Sequence, residues 1–260
     1  MLFQKFKDIT DHKKANFSIK NSIIHTFFVL FIIGIWMTGC NINDTDETTT
    51  LFESDFREST QSWEPFFTGY NVGWGEKMEL TSDFRLLPDP LNKNENGYFI
   101  SAINNSDDVK MLFRKQVSNL EPNTTYRVNF TIRFATNVPS GCAGIGGAPG
   151  EAVKVIADAT PQKPEPFVDD DYYWLNTQYQ HHNNPGEWYQ NAILGDIANS
   201  QACEDDVHQY EIKELTSSPG HSIVTTDETG SAWLLFGTRS GFEGETALYF
   251  TYFRAEFTMN

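Results

Sequence analysis

Aromatic and amide side chains are concentrated in one stretch of the sequence, residues 161–199. Sugar rings present apolar C–H faces that pack on flat aromatic side chains, and hydroxyl groups that hydrogen-bond to amides and acids. The residue types of this stretch therefore indicate a site for a glycan or a similar neutral ligand. The alternative is that these side chains pack the stretch onto the rest of the domain. The candidate ligand-binding residues are Tyr172, Tyr173, Trp174, Asn176, Tyr179, His181, Trp188 and Tyr189.

No convincing catalytic motif accompanies these residues. The sequence lacks the Gly-x-Ser-x-Gly turn of a serine nucleophile. The Gly-rich residues 141–150 lack the Lys-Ser/Thr ending of a phosphate-binding loop, and the pair His181-His182 lacks zinc-ligand spacing. Glycoside hydrolysis needs two facing carboxylates, but acids are so abundant here that none stands out. The sequence favours a non-catalytic protein and names no catalytic residue.

The first forty residues have the layout of an export signal. Five lysines precede Asn21, and no Lys, Arg, Asp or Glu follows until Cys40. The apolar run Phe27–Met37 has eleven residues, whereas a membrane-spanning helix needs about twenty. The run ends in Met37-Thr38-Gly39-Cys40, which resembles the lipobox of bacterial lipoproteins. That resemblance implies cleavage before Cys40 and lipidation of Cys40, with an uncleaved signal anchor as the alternative.

The ten residues after Cys40 are polar and predict a flexible tether. Asp44, Asp46 and Glu47 resemble the acid-rich signal of lipoproteins displayed on the outer face of the outer membrane. We therefore expect a signal peptide at residues 1–39, a lipidated Cys40 with an acidic tether to residue 50, and one domain at 51–260. The predicted location is the cell envelope, anchored to a membrane through lipid, with the outer-membrane surface favoured over the periplasmic face.

The charge balance limits the partners of the mature chain. The whole sequence has a formal net charge of −16, and removal of the first forty residues takes away five Lys and two Asp, which leaves −19. Such a surface repels nucleic acid and anionic lipid. It remains compatible with neutral polyols and with cations.

Cys142 and Cys203 form an isolated pair in polar or Gly-rich loops. In an oxidising compartment the simplest prediction is one disulfide between them, worth about 3–5 kcal/mol by loop entropy. The alternative, a catalytic thiol, lacks a nearby His.

The apolar residues predict an all-β domain. Thr125–Ala135 alternates apolar and polar side chains with a period of two, which is typical of a half-buried strand. Short β-rich runs separated by Gly, Pro, Asn and Asp turns indicate a sandwich or barrel, from which residues 161–199 form a long loop excursion. Further strands are predicted at 51–56, 78–86, 97–103, 109–117, 152–159, 207–215, 222–226, 231–238 and 246–259.

Three patches resemble the jelly-roll carbohydrate-binding modules of the galactose-binding-like class: residues 52–64 (first strand), 120–135 (middle strand) and 240–250 (last strand). The resemblance implies a jelly-roll β-sandwich whose first and last strands pair. It also implies a structural Ca²⁺, with Glu53 or Asp55 as first-strand ligand, although Tyr252 and Phe253 stand where the last strand should supply an Asp. We therefore expect a glycan-binding module, with two alternatives: a structural or adhesive surface lipoprotein without a small ligand, and a glycan-acting hydrolase.

Overall fold

Fifteen β-strands are found among the residues that this computed structural model describes, which are 48–105, 108–177 and 192–260. The predicted all-β class is confirmed. Within these ranges no helix is both long and apolar enough to cross a membrane. The strands are β1 (Thr49–Asp55), β2 (Glu64–Thr68), β3 (Tyr70–Asn71), β4 (Thr81–Leu86), β5 (Asn96–Ile103), β6 (Lys110–Val117), β7 (Thr125–Thr136), β8 (Val153–Thr160), β9 (Pro166–Asp169), β10 (Tyr172–Leu175), β11 (Ile193–Asp196), β12 (Glu211–Thr216), β13 (Ser222–Thr225), β14 (Ala232–Ser240) and β15 (Glu245–Met259).

The larger sheet has seven strands, with the long strand β15 in the middle. β7 pairs with β15 on one side, while β5 and β1 pair with successive halves of β15 on the other. β12 and β13 pair in the same way with successive parts of β7, and β4 adds to β5. The predicted pairing of the first and last strands is therefore confirmed.

The second sheet has five strands in the order β11-β8-β14-β6-β2. Its inner face packs against the inner face of the seven-stranded sheet, and aromatic rings meet across the interface. The ring of Phe236 on β14 lies 4.8 Å from that of Phe253 and 5.1 Å from that of Phe250, both on β15. Strict alternation along β7 places Phe130 and Phe134 in this core and its polar side chains outside. The two sheets form the predicted β-sandwich.

Trp63, which precedes β2, belongs to the core rather than to a binding face. It is 3% exposed, its ring lies 4.7 Å from that of Phe253, and its indole N–H donates to the hydroxyl of Ser54 at 2.9 Å. Trp74 is partly buried against the same core.

A third, small sheet has the order β3-β10-β9 and contacts the edge strand β2 of the five-stranded sheet. It is formed partly by the 161–199 stretch, which also contributes β11 to the five-stranded sheet. These short strands were not predicted from the sequence.

The predicted disulfide between Cys142 and Cys203 is present and joins residues 61 positions apart. It ties the Gly-rich loop before β8 to the loop before β12. Backbone pairing of Ser140 with Gln201 and Ala202 lies directly beside it.

Candidate ligand-binding site

The β9–β10 hairpin carries the described part of the predicted aromatic site. Its turn consists of Asp170 and Asp171, which have φ angles of 48° and 53°. Two successive residues with positive φ are typical of the two-residue turn that matches the twist of paired strands, and Asp is one of the residue types that tolerate this conformation. Alternation along β10 then sends Tyr172 and Trp174 to one face and Tyr173 to the other.

Tyr172 and Trp174 lie side by side on the first face. Their ring centroids are 4.6 Å apart with an interplanar angle of 50°, and both residues are half-buried. The cross-strand neighbours on β9 are Asp169, opposite Tyr172, and Phe167, opposite Trp174. Directly opposite residues of an antiparallel pair share a face. We call these four residues the hairpin platform.

The hairpin platform combines apolar rings with hydrogen-bonding groups. The indole N–H of Trp174 donates to the backbone carbonyl of Asp169 at 3.2 Å, which fixes the indole against the hairpin. The carboxylates of Asp169, Asp170 and Asp171 are exposed at the turn. Chemically, the platform combines apolar ring carbons with carboxylate acceptors, the two kinds of group that a sugar ligand contacts.

Tyr173 and Asn176 have structural contacts instead. The Tyr173 ring lies 5.0 Å from the Tyr70 ring on β3, and burial raises the pKa of Tyr70. The Asn176 amide accepts from the Glu165 N–H and donates to the Lys163 carbonyl, both at 2.9 Å. These contacts hold the base of the hairpin. Their role as ligand contacts stays a prediction.

The hairpin is anchored to the five-stranded sheet. The hydroxyl of Thr68 and the backbone N–H of Gly69 both donate to the carbonyl of Tyr173, at 2.7 and 2.8 Å. Gly69 has a φ of +83°, and a Cβ there would lie 2.1 Å from the carbonyl oxygen of Asp108. The side chain of Leu175 is buried in an apolar cluster on the outer face of the five-stranded sheet, together with Phe66, Leu112, Ile156, Ala192 and Leu235.

The other predicted ligand-binding residues, Tyr179, His181, Trp188 and Tyr189, lie outside the described residues, as does the predicted lipidation site Cys40.

Trp233 on β14 is a further half-buried aromatic residue that the sequence analysis did not single out. It pairs with Gln116 on the outer face of the five-stranded sheet, and the ammonium group of Lys163 lies 5.6 Å from its ring centroid. The sequence contained a sign of this position. Side chains alternate along a strand, so Trp233 faces away from the core that holds Leu234 and Phe236.

The two candidate calcium ligands lie on the outer face of β1, where arginine and tyrosine contact them. Both carboxylate oxygens of Asp55 accept from the guanidinium of Arg57, at 2.9 and 2.5 Å. That hydrogen bonding, with the nearby positive charges, holds the pKa of Asp55 below its ordinary value against the opposing effect of burial. Glu53 accepts from the hydroxyl of Tyr252 at 2.5 Å and lies 3.8 Å from Arg254.

In this arrangement the carboxylates of Asp55 and Glu53 face arginine side chains. Ca²⁺ needs six to eight oxygen ligands, and these two residues alone do not supply them. Among the described residues no group of three or more His, Cys, Asp or Glu side chains could hold a metal ion. The calcium site stays a prediction.

Comparisons with known proteins find likenesses of fold only. No protein-family model matches the chain, and no curated protein matches it. One similar solved structure is a carbohydrate-binding module, TmCBM27, described as recognising mannan: TM-score 0.36, 10% identity, covering 80% of this chain and 98% of that one.

A second solved structure holds the CBM22-1 and GH10 modules of xylanase 10B from Clostridium thermocellum with xylohexaose: TM-score 0.30, 13% identity, covering 82% of this chain and 28% of that one. A third belongs to work on the promiscuous specificity of carbohydrate-binding modules from the β-sandwich superfamily. Its TM-score is 0.27 and its identity 13%, and the match covers 80% of this chain and 85% of that one. Similar solved structures thus include carbohydrate-binding modules with a β-sandwich fold. At these scores the likeness carries no argument about what this chain binds.

Proposed function

We propose that this protein is a non-catalytic binding module for a neutral glycan, exported and anchored in the cell envelope through lipid on Cys40. The observation that carries the binding proposal is the pair Tyr172 and Trp174, whose half-buried rings lie side by side on one face of the hairpin. The same pair was a candidate on residue type alone.

The surroundings of the pair support a sugar ligand. Stacking on aromatic rings buries the apolar face of a sugar ring, and fixed acceptors at its edge select hydroxyl groups. The exposed carboxylates of Asp169, Asp170 and Asp171 offer acceptors at the end of the hairpin, with Asp169 directly opposite Tyr172. They also disfavour an anionic ligand at this position, as does the net charge of the chain.

The rigidity of the hairpin supports a binding role as well. Contacts of Thr68, Gly69 and Asn176 hold both ends of β10. A platform that is ordered before binding loses less conformational entropy when the ligand arrives.

The binding proposal is tested by affinity for a panel of neutral polysaccharides, with the full chain and the double variant Tyr172→Ala/Trp174→Ala. We expect the double variant to lose at least about tenfold in affinity, because two stacking surfaces are removed. The matched control is Val168→Ala, since Val168 is 55% exposed on the opposite face of β9. The proposal fails if no polysaccharide binds, or if both variants bind as tightly as the unmodified chain.

The anchoring proposal is tested separately. Labelled fatty acid is expected to enter the protein in cells and to be absent from a Cys40→Ser variant. Equal labelling of the two, or no labelling of either, would contradict lipidation at Cys40.

A further inference from the structure

A cleft of about 320 Å³ opens on the outer face of the seven-stranded sheet, on the opposite side of the sandwich from the five-stranded sheet. Its volume is at the lower end of the range for small-ligand pockets, about 300–1,000 Å³. Its walls come from β7, β12 and β15, from Arg57 after β1, and from residues 87–95 between β4 and β5.

One part of the cleft wall is apolar. Leu87 and Leu91 line it next to an apolar cluster on the same sheet face. Ile212 on β12 is 46% exposed there, and Tyr252 on β15 also lines the cleft. Such a surface can cover the apolar face of a single ring-shaped ligand.

The polar part of the wall includes two arginines, Arg57 and Arg133. Arg133 donates through Nε to Glu214, and its guanidinium lies 4.8 Å from the Tyr252 ring centroid. Within residues 48–105, 108–177 and 192–260, its Nη1 and Nη2 atoms donate no hydrogen bond. Arg57 is bound to Asp55 through Nε and Nη2, which leaves its Nη1 at 3.7 Å from Glu95.

The acceptors in the lining are already engaged. Oε1 of Glu95 accepts from the amide of Asn92 at 2.9 Å, and its Oε2 faces Nη1 of Arg57 at 3.7 Å. The hydroxyl of Tyr252 donates to Glu53. A ligand that completes this wall must therefore supply acceptors. A carboxylate is the natural partner of guanidinium groups, because its two oxygens match their paired N–H donors.

We propose that this cleft is a second ligand site, and that it takes a sugar ring bearing a carboxylate, of the hexuronate class. The carboxylate contacts the Nη atoms of Arg133 and the Nη1 atom of Arg57, and the ring packs on Leu91, Ile212 and Tyr252. The ion pairs with Glu214 and Asp55 hold the two guanidinium groups in place before the ligand binds.

The carboxylates of Asp55, Glu95 and Glu214 lie within ion-pair distance of the two guanidinium groups and oppose an anionic ligand locally. The rest of the negative charge of the chain acts at longer range. At physiological ionic strength charges separated by more than about 8 Å are largely screened. Contacts inside the cleft therefore decide affinity, while the overall charge slows association at low salt.

The experiment compares D-glucuronate with D-glucose, which differ only at C6, a carboxylate in the first and a hydroxymethyl group in the second. Binding to the full-length protein is measured by calorimetry or by protein resonance shifts. We expect glucuronate to bind at least about tenfold more tightly than glucose. Equal affinity for the two sugars, or no binding of glucuronate, would overturn the proposal.

The site is assigned with Arg133→Gln, which is expected to weaken glucuronate binding at least about tenfold. The matched control is Arg127→Gln on the same face of β7, which is expected to bind normally. Ile212→Glu places a negative charge in the cleft, where it repels the carboxylate of glucuronate and is expected to weaken binding. Because Ile212 is exposed, this substitution is not expected to unfold the protein. Unchanged glucuronate affinity in both cleft variants would refute the assignment.

The cleft shares no residue with the hairpin platform. The Tyr172→Ala/Trp174→Ala variant is expected to keep full glucuronate affinity, and loss of it there would overturn the placement of the site in the cleft.

Discussion

Replacing Cys142 and Cys203 together by Ser is expected to lower the free energy of unfolding by about 4 kcal/mol. The magnitude follows from the separation of 61 residues, because a cross-link of that span removes loop entropy from the unfolded chain. The folded state keeps the backbone hydrogen bond from Ser140 to Gln201 beside the bridge. We therefore assign most of the effect to the unfolded state.

Urea denaturation followed by tryptophan fluorescence measures this difference. The unfolded chain without the bridge is more expanded, so the slope of the unfolding free energy against urea should also increase. Cys40→Ser is the matched control, since it removes the third cysteine and leaves the bridge intact. A loss of less than about 1 kcal/mol, with an unchanged slope, would refute the reasoning from loop entropy.

Three further perturbations test the core, the outer sheet face and the cation question. Trp63→Ala is expected to cost about 3–5 kcal/mol of unfolding free energy in urea, because the buried indole packs on Phe253 and donates to a buried hydroxyl; a cost below about 1 kcal/mol would contradict its place in the core. Burial and the Glu53 hydrogen bond raise the pKa of Tyr252 to about 12, so the stability from this tyrosine is complete below its ordinary pKa near 10 and is lost as pH rises through about 12. Glu53→Gln should lower that pKa in a tyrosine NMR titration, and an unchanged pKa would contradict the assigned cause. Because Arg57 occupies both oxygens of Asp55, a chelator should leave the melting midpoint unchanged, whereas a drop in the midpoint would favour a bound calcium ion.

The long strands were predictable because apolar and polar side chains alternate along them, with the apolar ones on the buried face. The alternation in Thr125–Ala135 gave β7 to within one residue. The strand predicted at 78–86 begins later, at Thr81, because Glu79 has a φ of +48° and ends the preceding turn. The strand predicted at 207–215 begins at Glu211, since Val207 is exposed and lies outside the sheet.

The short strands were not predictable in this way. β3 and β9 have two and four residues, which is too few to show a period. They exist because the two edges of β10 offer backbone groups that pair with them, which is a tertiary effect.

For the binding site, the sequence supplied the residue types but not their faces. Which of Tyr172, Tyr173 and Trp174 share a surface depends on the register of β10, and the hairpin turn at Asp170 and Asp171 sets that register. The cleft could not be predicted from the sequence. Arg57, residues 87–95 and Arg133 are far apart along the chain, and only the fold brings them together.

The most direct test of the binding proposal is an NMR titration of the full-length protein with a neutral polysaccharide that the binding panel has identified. The titration follows the indole N–H resonances. We predict that the Trp174 resonance shifts in proportion to occupancy, because its ring belongs to the hairpin platform, while those of Trp63 and Trp233 stay in place. A shift at Trp233 with none at Trp174 would contradict this and place the ligand on the outer face of the five-stranded sheet.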